Sequence, residues 1–297
     1  MKDAPVRHRL EQAGYLVVEG LLRLLPHGAA RGLGRRLGDL AWLAAGSRRG
    51  VTRANLALVF PELPEAEREK LARESFRHLG AALCDTLSAM RFDLVALCRR
   101  LAYEGWEHLA EARARGRGFF VLSAHLGHWE IAAHVAGAYF GPLSVVGRPL
   151  DNPHLDRELT AFRGRFGNRT LAKRGAVRGM LRALEEGGIV GILIDQRVRE
   201  SEGIRAPFFG RPSLASPVLA RLSLRTGTPV VPIFAFGEPR GRYRFVARPA
   251  IEPAGDPKDE AAVLAMTRGY LEATEREIRS RPAEWMWMHR RWKEEGA

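Results

Sequence analysis

Short, continuously apolar runs alternate along the chain with segments whose apolar positions recur every three or four residues. Phe119 to Leu122 is such a run, ending at Ser123, Ala124 and His125; Leu143 to Gly147, Ile189 to Ile194 and Pro229 to Phe236 share its character. Runs of this kind predict strands buried on both faces. Arg242 to Ala247 alternates polar with apolar, which predicts an antiparallel edge strand beside the Pro229 run. Between the runs, residues 131–139, 154–166, 177–186, 213–226 and 256–279 have helical periodicity. Strands alternating with helices predict an α/β fold, a mostly parallel central sheet flanked by helices.

The N-terminal third is patterned differently. Residues 48–115 read as helical throughout. One helix stops at Pro61, another opens at Pro64 with Glu65 and Glu67 and runs to about Met90, and a third covers about 103–114. Earlier, Tyr15 to Leu25 is apolar but broken by Glu19 and Arg23. It falls short of the roughly 20 mostly uncharged residues of a membrane span. Residues 31–45 then set Leu33, Leu37, Leu40, Ala41 and Trp42 at helical spacing beside Arg31, Arg35 and Arg36. Arg-bearing amphipathic helices suit a membrane interface; core helices with solvated arginines are the alternative. The pattern divides the chain into membrane-associating helices over 1–46 and an α/β domain over 47–297, with a helical lead-in at 47–117.

Charge changes this picture more than composition does. Lys and Arg number 47 against 34 Asp and Glu, a net charge of +13, and arginine dominates. Such a surface suits an anionic membrane, a phosphorylated lipid or an acidic protein. The tail from Glu284 to Lys293 interleaves tryptophan with basic residues, a pattern for a membrane interface, phosphate or single-stranded nucleic acid. No nucleic-acid-binding motif accompanies it, so nucleic acid is not expected as a partner. Cys84 and Cys98 lack C-x-x-C spacing, which argues against a disulfide framework or a cysteine zinc site. The N-terminus is a poor secretory signal.

Three polar clusters directly follow apolar runs: His125 with Glu130, Arg148, and Asp195-Gln196-Arg197. In a parallel sheet, strand carboxyl ends share one edge, so these clusters are expected to converge. On one continuous helix His125 and Glu130 point well apart. They meet only if His125 lies in the strand-helix turn, made feasible by Gly127, and Glu130 on the helix. Such a carboxylate fixes the imidazole tautomer, so that His125 takes a proton from a hydroxyl. No G-x-S-x-G is present and Ser123 lies in the strand, so that hydroxyl belongs to the substrate. A rival is a metal-dependent hydrolase with His125, His128, Glu130 and His134 around a divalent ion, although the spacing is not H-E-x-x-H. Arg148, Arg197 and Arg211 are candidates for phosphate or oxyanion binding. Asp195 and Gln196 would orient a polar substrate or brace Arg148. Phe208, Phe209 and Gly210 would line an apolar channel or pack into the core.

The segment from His125 to Glu130 resembles the H-x4-D/E motif of the glycerolipid and lysophospholipid acyltransferase superfamily. More closely, the chain resembles the late acyltransferases of lipid A biosynthesis, the lauroyl/myristoyl type. The likeness extends through 55–62, 75–80, 147–153, Asp195-Gln196, 207–210, 229–232 and 287–293. The resemblance implies a glycerolipid acyltransferase-like fold and transfer of a fatty acyl chain from acyl carrier protein to a hydroxyl of a phosphorylated lipid, a lipid A precursor. It implies His125 as general base with Glu130 its partner, and Arg148, Asp195 and Gln196 around the site. It also implies placement on the cytoplasmic face of a bacterial inner membrane, with no cofactor beyond the acyl-carrier substrate. Position 128 is His where this group often has Asn. Related enzymes act on other lipids, so the reaction is more firmly implied than the acceptor.

Overall fold

The computed structural model describes residues 4–292 apart from Met90, Arg148, Lys173 and Arg174. Five helices come first: α1 (Ala4–Leu24), α2 (His27–Ala44), α3 (Gly46–Val59), α4 (Glu65–Ala89) and the short α5 (Leu94–Cys98). Strand and helix then alternate through β1 (Leu101–Glu104), α6 (Trp106–Ala114), β2 (Phe119–Ser123), α7 (Trp129–Phe140), β3 (Leu143–Gly147), α8 (Pro153–Gly164), β4 (Arg169–Ala172), α9 (Ala176–Glu185) and β5 (Ile189–Leu193). A separate hairpin, β6 (Ile204–Phe208) with β7 (Arg211–Ala215), leads to α10 (Val218–Thr226), β8 (Val230–Glu238), β9 (Arg242–Ala247) and α11 (Glu260–Ser280).

The main sheet runs β1-β9-β8-β2-β5-β3-β4. β8, β2, β5, β3 and β4 are mutually parallel; β9 is antiparallel to β8 and pairs in parallel with β1. This is the α/β architecture that the apolar runs predict. The hairpin β6–β7 is missing from the sequence reading, and so are two strands of the main sheet, β1 and β4, its four-residue edges. Both are largely exposed, so they lack the apolar run that marks a central strand. β9 pairs with β8 as predicted, but β1 covers its other side, so it is not an edge. The helix expected from Ser213 begins at Val218 instead, because Ser213 belongs to β7.

The apolar runs are continuous because helices cover both faces of the sheet. Phe119 and Val121 of β2 share a cluster with Leu109 of α6 and Ile131 and Val135 of α7. Phe120 and Leu122 share the opposite cluster with Met180 of α9, Leu219 of α10 and Tyr270 of α11. Each such side chain contributes about 1.5–3 kcal/mol by leaving water. The N-terminal helices join this body closely. A Cβ at Gly38 of α2 would lie 2.4 Å from the Phe76 carbonyl oxygen, and one at Gly80 of α4 would lie 2.2 Å from that of Gly34. The α2–α4 crossing is therefore backbone against backbone. Farther along α2, Trp42 packs edge-on to Phe76 in the main core.

Candidate active site

The site forms where β2 and β5 run side by side. Their register pairs Ser123 with Leu193, and two residues beyond that pair lie His125 and Asp195. The Asp195 carboxylate, itself buried, grips the histidine twice: Oδ2 accepts the His125 backbone N–H at 2.9 Å and Oδ1 lies 3.0 Å from Nδ1. An ionised carboxylate only accepts, so Nδ1 carries the proton, and the lone pair of the neutral ring is on Nε2. That nitrogen meets the Gln196 side-chain Nε2 at 3.3 Å, a contact an incoming hydroxyl can replace. Burial opposes charge on His125, but the charge and hydrogen bond of Asp195 outweigh it, so the ring pKa lies above its ordinary value. For Asp195, burial raises the pKa; the charge and hydrogen bond of His125, with the Trp285 indole and the His125 backbone N–H, bring it down to about 2.

The turn geometry is as the spacing requires: His125 lies between β2 and α7, and Glu130 in the first turn of α7. Gly127 has φ 61°, and a Cβ there would stand 2.2 Å from the Ala235 carbonyl oxygen. The expected contact between His125 and Glu130, however, is not made. Glu130 is held by Arg163 of α8, whose Nη2 donates at 2.5 Å and Nε at 3.1 Å to Oε1. The carboxylate that fixes the imidazole comes instead from the neighbouring strand. Glu130 and Arg163 remain near enough to His125 to bias it electrostatically, in opposite directions.

Other predicted residues have different fates. Arg148 lies outside the described residues. Gln196 joins His125, and the Arg197 backbone N–H donates to His289 Nε2 at 3.0 Å. Arg211 is exposed at the start of β7. Phe208 does not line an open channel: it is buried and stacks on Trp292 at 5.8 Å. Gly210 occupies the β6–β7 turn with φ 69°. The residues of the metal-site reading are dispersed. His128 Nε2 lies 3.0 Å from Asp85 Oδ2, His134 is wedged between Phe162 and Phe166, and Glu130 is held by Arg163. Among the described residues, no three His, Cys, Asp or Glu side chains are grouped to hold a metal ion. Nor is the tryptophan-rich tail an exposed interface. Trp285, Trp287 and Arg291 are buried, because the indoles have the Phe208–Phe209 cluster to pack into.

A cavity of about 70 Å³ adjoins the site between α7, β3 and β5. Trp129, Glu130 and Arg163 border it, with Val121, Leu143, Val145 and Ile192 among its apolar walls. The Cβ-less Gly191 leaves part of this space, since an added Cβ would stand 3.2 Å from Leu143 and Val145. Val146 and Leu193, 39% and 38% exposed, extend the apolar lining toward solvent. Arg163 and Asp85 were not singled out in the sequence, and Trp285 only as part of the aromatic and basic tail. Each meets its partner across more than 30 residues, a distance no local pattern reports.

The site is thus a histidine–aspartate pair at adjacent strand ends of a parallel α/β sheet, its Nε2 against a side-chain amide and an apolar cavity beside it. The chain belongs to the bacterial lipid A biosynthesis acyltransferase family, whose model matches residues 6–294. It is accordingly an acyltransferase. A lipid A biosynthesis palmitoleoyltransferase of Escherichia coli K12 is 32% identical over 277 residues, 91% of this chain and 86% of that protein. The lipid A biosynthesis lauroyltransferase of the same strain is 30% identical over 274 residues, 91% and 87% of the two chains. A phosphatidylinositol mannoside acyltransferase of Mycobacterium tuberculosis H37Rv is 26% identical over 246 residues, covering 81% of this chain and 76% of that protein. The crystal structure of the 1-acyl-sn-glycerophosphate acyltransferase of Thermotoga maritima aligns with 80% of this chain and 99% of its own, at 15% identity and a TM-score of 0.40.

Proposed function

We propose that the protein transfers a fatty acyl chain from the thioester of acyl carrier protein to a hydroxyl of a phosphorylated lipid, a lipid A precursor, with His125 as general base. The observation that carries this reading is the His125 ring: Nδ1 is committed to Asp195, and Nε2 faces Gln196 with no backbone partner. The acceptor oxygen attacks the thioester carbonyl carbon as Nε2 takes its proton. A C–O bond forms, the tetrahedral intermediate expels the carrier thiolate as the C–S bond breaks, and the imidazolium returns the proton to that sulfur. Arg163, held in place by Glu130, is the cation assigned to the developing oxyanion, which keeps Glu130 in the machinery as a positioning carboxylate. A thioester is already activated, so the reading assigns no cofactor.

The apolar cavity is assigned to the acyl chain. Its 70 Å³ is less than the roughly 150 Å³ that admits a benzene ring, so in this form it takes only part of a chain. The remainder would lie along Val146 and Leu193. The net charge of +13 suits an acidic carrier, a phosphorylated acceptor and an anionic membrane together. Among the described residues no helix is long and apolar enough to cross a membrane. On α1, however, Val6, Leu10, Val17, Leu21 and Leu24 are exposed, within about 60° of one another around the helix. Glu19, the acid that interrupts this run, is buried and paired with Arg23 at 2.7 Å. We assign this stripe, with Leu40 and Leu43 of α2, to association with the cytoplasmic face of a bacterial inner membrane.

Similarity to the mannoside acyltransferases favours one alternative, a different phospholipid or glycolipid acceptor. Mass spectrometry of products from a panel of acyl carrier protein thioesters and lipid acceptors separates the two. A lipid A precursor gaining one acyl chain is the expected result. Product on other lipids alone overturns the acceptor, and acyl-coenzyme A serving better than the carrier protein overturns the donor.

A further inference from the structure

The segment after α11 lies against the turn that carries His125 through an isolated antiparallel bridge. Gly127 donates its backbone N–H to the Glu284 carbonyl at 3.1 Å, Met286 donates to the His125 carbonyl at 3.1 Å, and Leu126 pairs antiparallel with Trp285. From this bridge, the Trp285 indole N–H donates to Asp195 Oδ2 at 2.8 Å. The same oxygen accepts the His125 backbone N–H, which leaves Oδ1 for the ring. The indole has no freedom to turn away. It is 2% exposed and packs edge-on against Trp287 at 4.6 Å and Phe208 at 5.7 Å.

A carboxylate's terminal torsion is broad and roughly twofold, so a single contact to the imidazole leaves its plane poorly fixed. Donors from two directions on Oδ2 remove that freedom. They also draw charge toward Oδ2, which moderates how strongly Oδ1 holds the proton on Nδ1. We propose that Trp285 is a positioning residue for the His125–Asp195 pair: its indole N–H fixes the plane of the Asp195 carboxylate and thereby sets the orientation and basicity of the His125 ring. The inference rests on the reading of His125 as general base. It gives the buried tail a role in the reaction beyond filling the core.

The test is a double-mutant cycle on the full chain with the carrier thioester and the accepted lipid. Trp285→Phe keeps an aromatic ring but loses the donor, and is expected to lower kcat about 10-fold with KM changed less than about twofold. Without the indole donor the carboxylate becomes more basic and stabilises the imidazolium more, so the acid limb of the kcat profile moves to higher pH. In an Asp195→Asn background the same substitution is expected to change kcat less than about twofold and to leave the limb where it is. Benzothienylalanine at 285 replaces the N–H with sulfur at nearly constant shape. It repeats the result if Trp285→Phe folds poorly. Equal losses in both backgrounds, or an unmoved acid limb with the isostere, overturn the positioning role while the base reading stands. An active His125→Ala variant overturns the base reading, and the role of Trp285 falls with it.

Discussion

Two histidine–aspartate pairs, their histidines three residues apart in this chain, have opposite surroundings. His125 meets Asp195 at 3.0 Å through Nδ1, and His128 meets Asp85 at 3.0 Å through Nε2. The contact distance does not distinguish them. What differs is what surrounds the second ring nitrogen. The His125 side chain is 18% exposed, and its Nε2 meets only the movable Gln196 amide. The His128 side chain is fully buried; its Nδ1 has no partner, and the rings of His78 and Tyr243 close around it. A sealed ring exchanges no proton with a substrate. The His128–Asp85 pair instead ties the turn to α4, and from there to α2, since His27 Nε2 approaches Asp85 Oδ1 at 3.1 Å. On the proposed function, the first pair carries the chemistry and the second holds the turn that presents it.

Substitutions at the two pairs should separate these roles. His125→Ala is expected to lower kcat by about 10⁴-fold while the thermal midpoint stays near that of the parent, because general-base catalysis contributes up to that factor. A folded His125→Ala enzyme with parental turnover in a carrier-release assay would break the comparison outright. Asp195→Asn is expected to cost about 10³-fold, since the neutral amide neither enforces the Nδ1–H tautomer nor stabilises the imidazolium. Its pH dependence has a definite sign. With the neutral ring as the proposed base, kcat falls as the pH drops through the His125 pKa, which Asp195 holds above the ordinary value. Without that charge, burial prevails and the acid limb moves to lower pH, the direction opposite to that expected for Trp285→Phe. A pH series of kcat on the two variants reads both shifts.

The smallest effect belongs to the sealed pair. Burial pushes the Asp85 carboxyl up, but the hydrogen bond and charge of His128, with His27 and Arg31, hold it below its ordinary value. Asp85→Asn leaves that buried pocket without its charge and is expected to cost about 2 kcal/mol of stability, with kcat per folded molecule within about twofold. Chemical denaturation with parallel turnover measurements gives both numbers. A large kcat loss at unchanged stability would move Asp85 into the reaction. That result would erase the distinction between the two pairs.

Much of this could be read before any coordinates. Strand-grade runs end at His125 and Asp195, so their convergence follows from a parallel sheet alone. The strand-helix turn follows from Gly127 and from the angular separation of His125 and Glu130 on a helix. Other assignments failed for physical reasons. Spacing placed Glu130 nearest His125 in sequence, but the parallel register brings a carboxylate from 70 residues away closer. The tail from Trp285 to Trp292 has the composition of a membrane edge. Trp285 and Trp287 are buried and Trp292 half-buried because the β6–β7 hairpin offers Phe208 and Phe209 as packing partners. A pattern of aromatic and basic residues does not say whether a partner surface exists within the fold.

The sequence by itself therefore determined the α/β class, the helical N-terminal region, the histidine at a strand end and the family resemblance. These depend on local periodicity and on motifs contiguous in the chain. Only the tertiary structure decided which carboxylate serves which cation, which of two neighbouring histidines is sealed, and that the C-terminal indole reaches Asp195. Those depend on strand order, register and burial, which arise when segments far apart in sequence pack against one another.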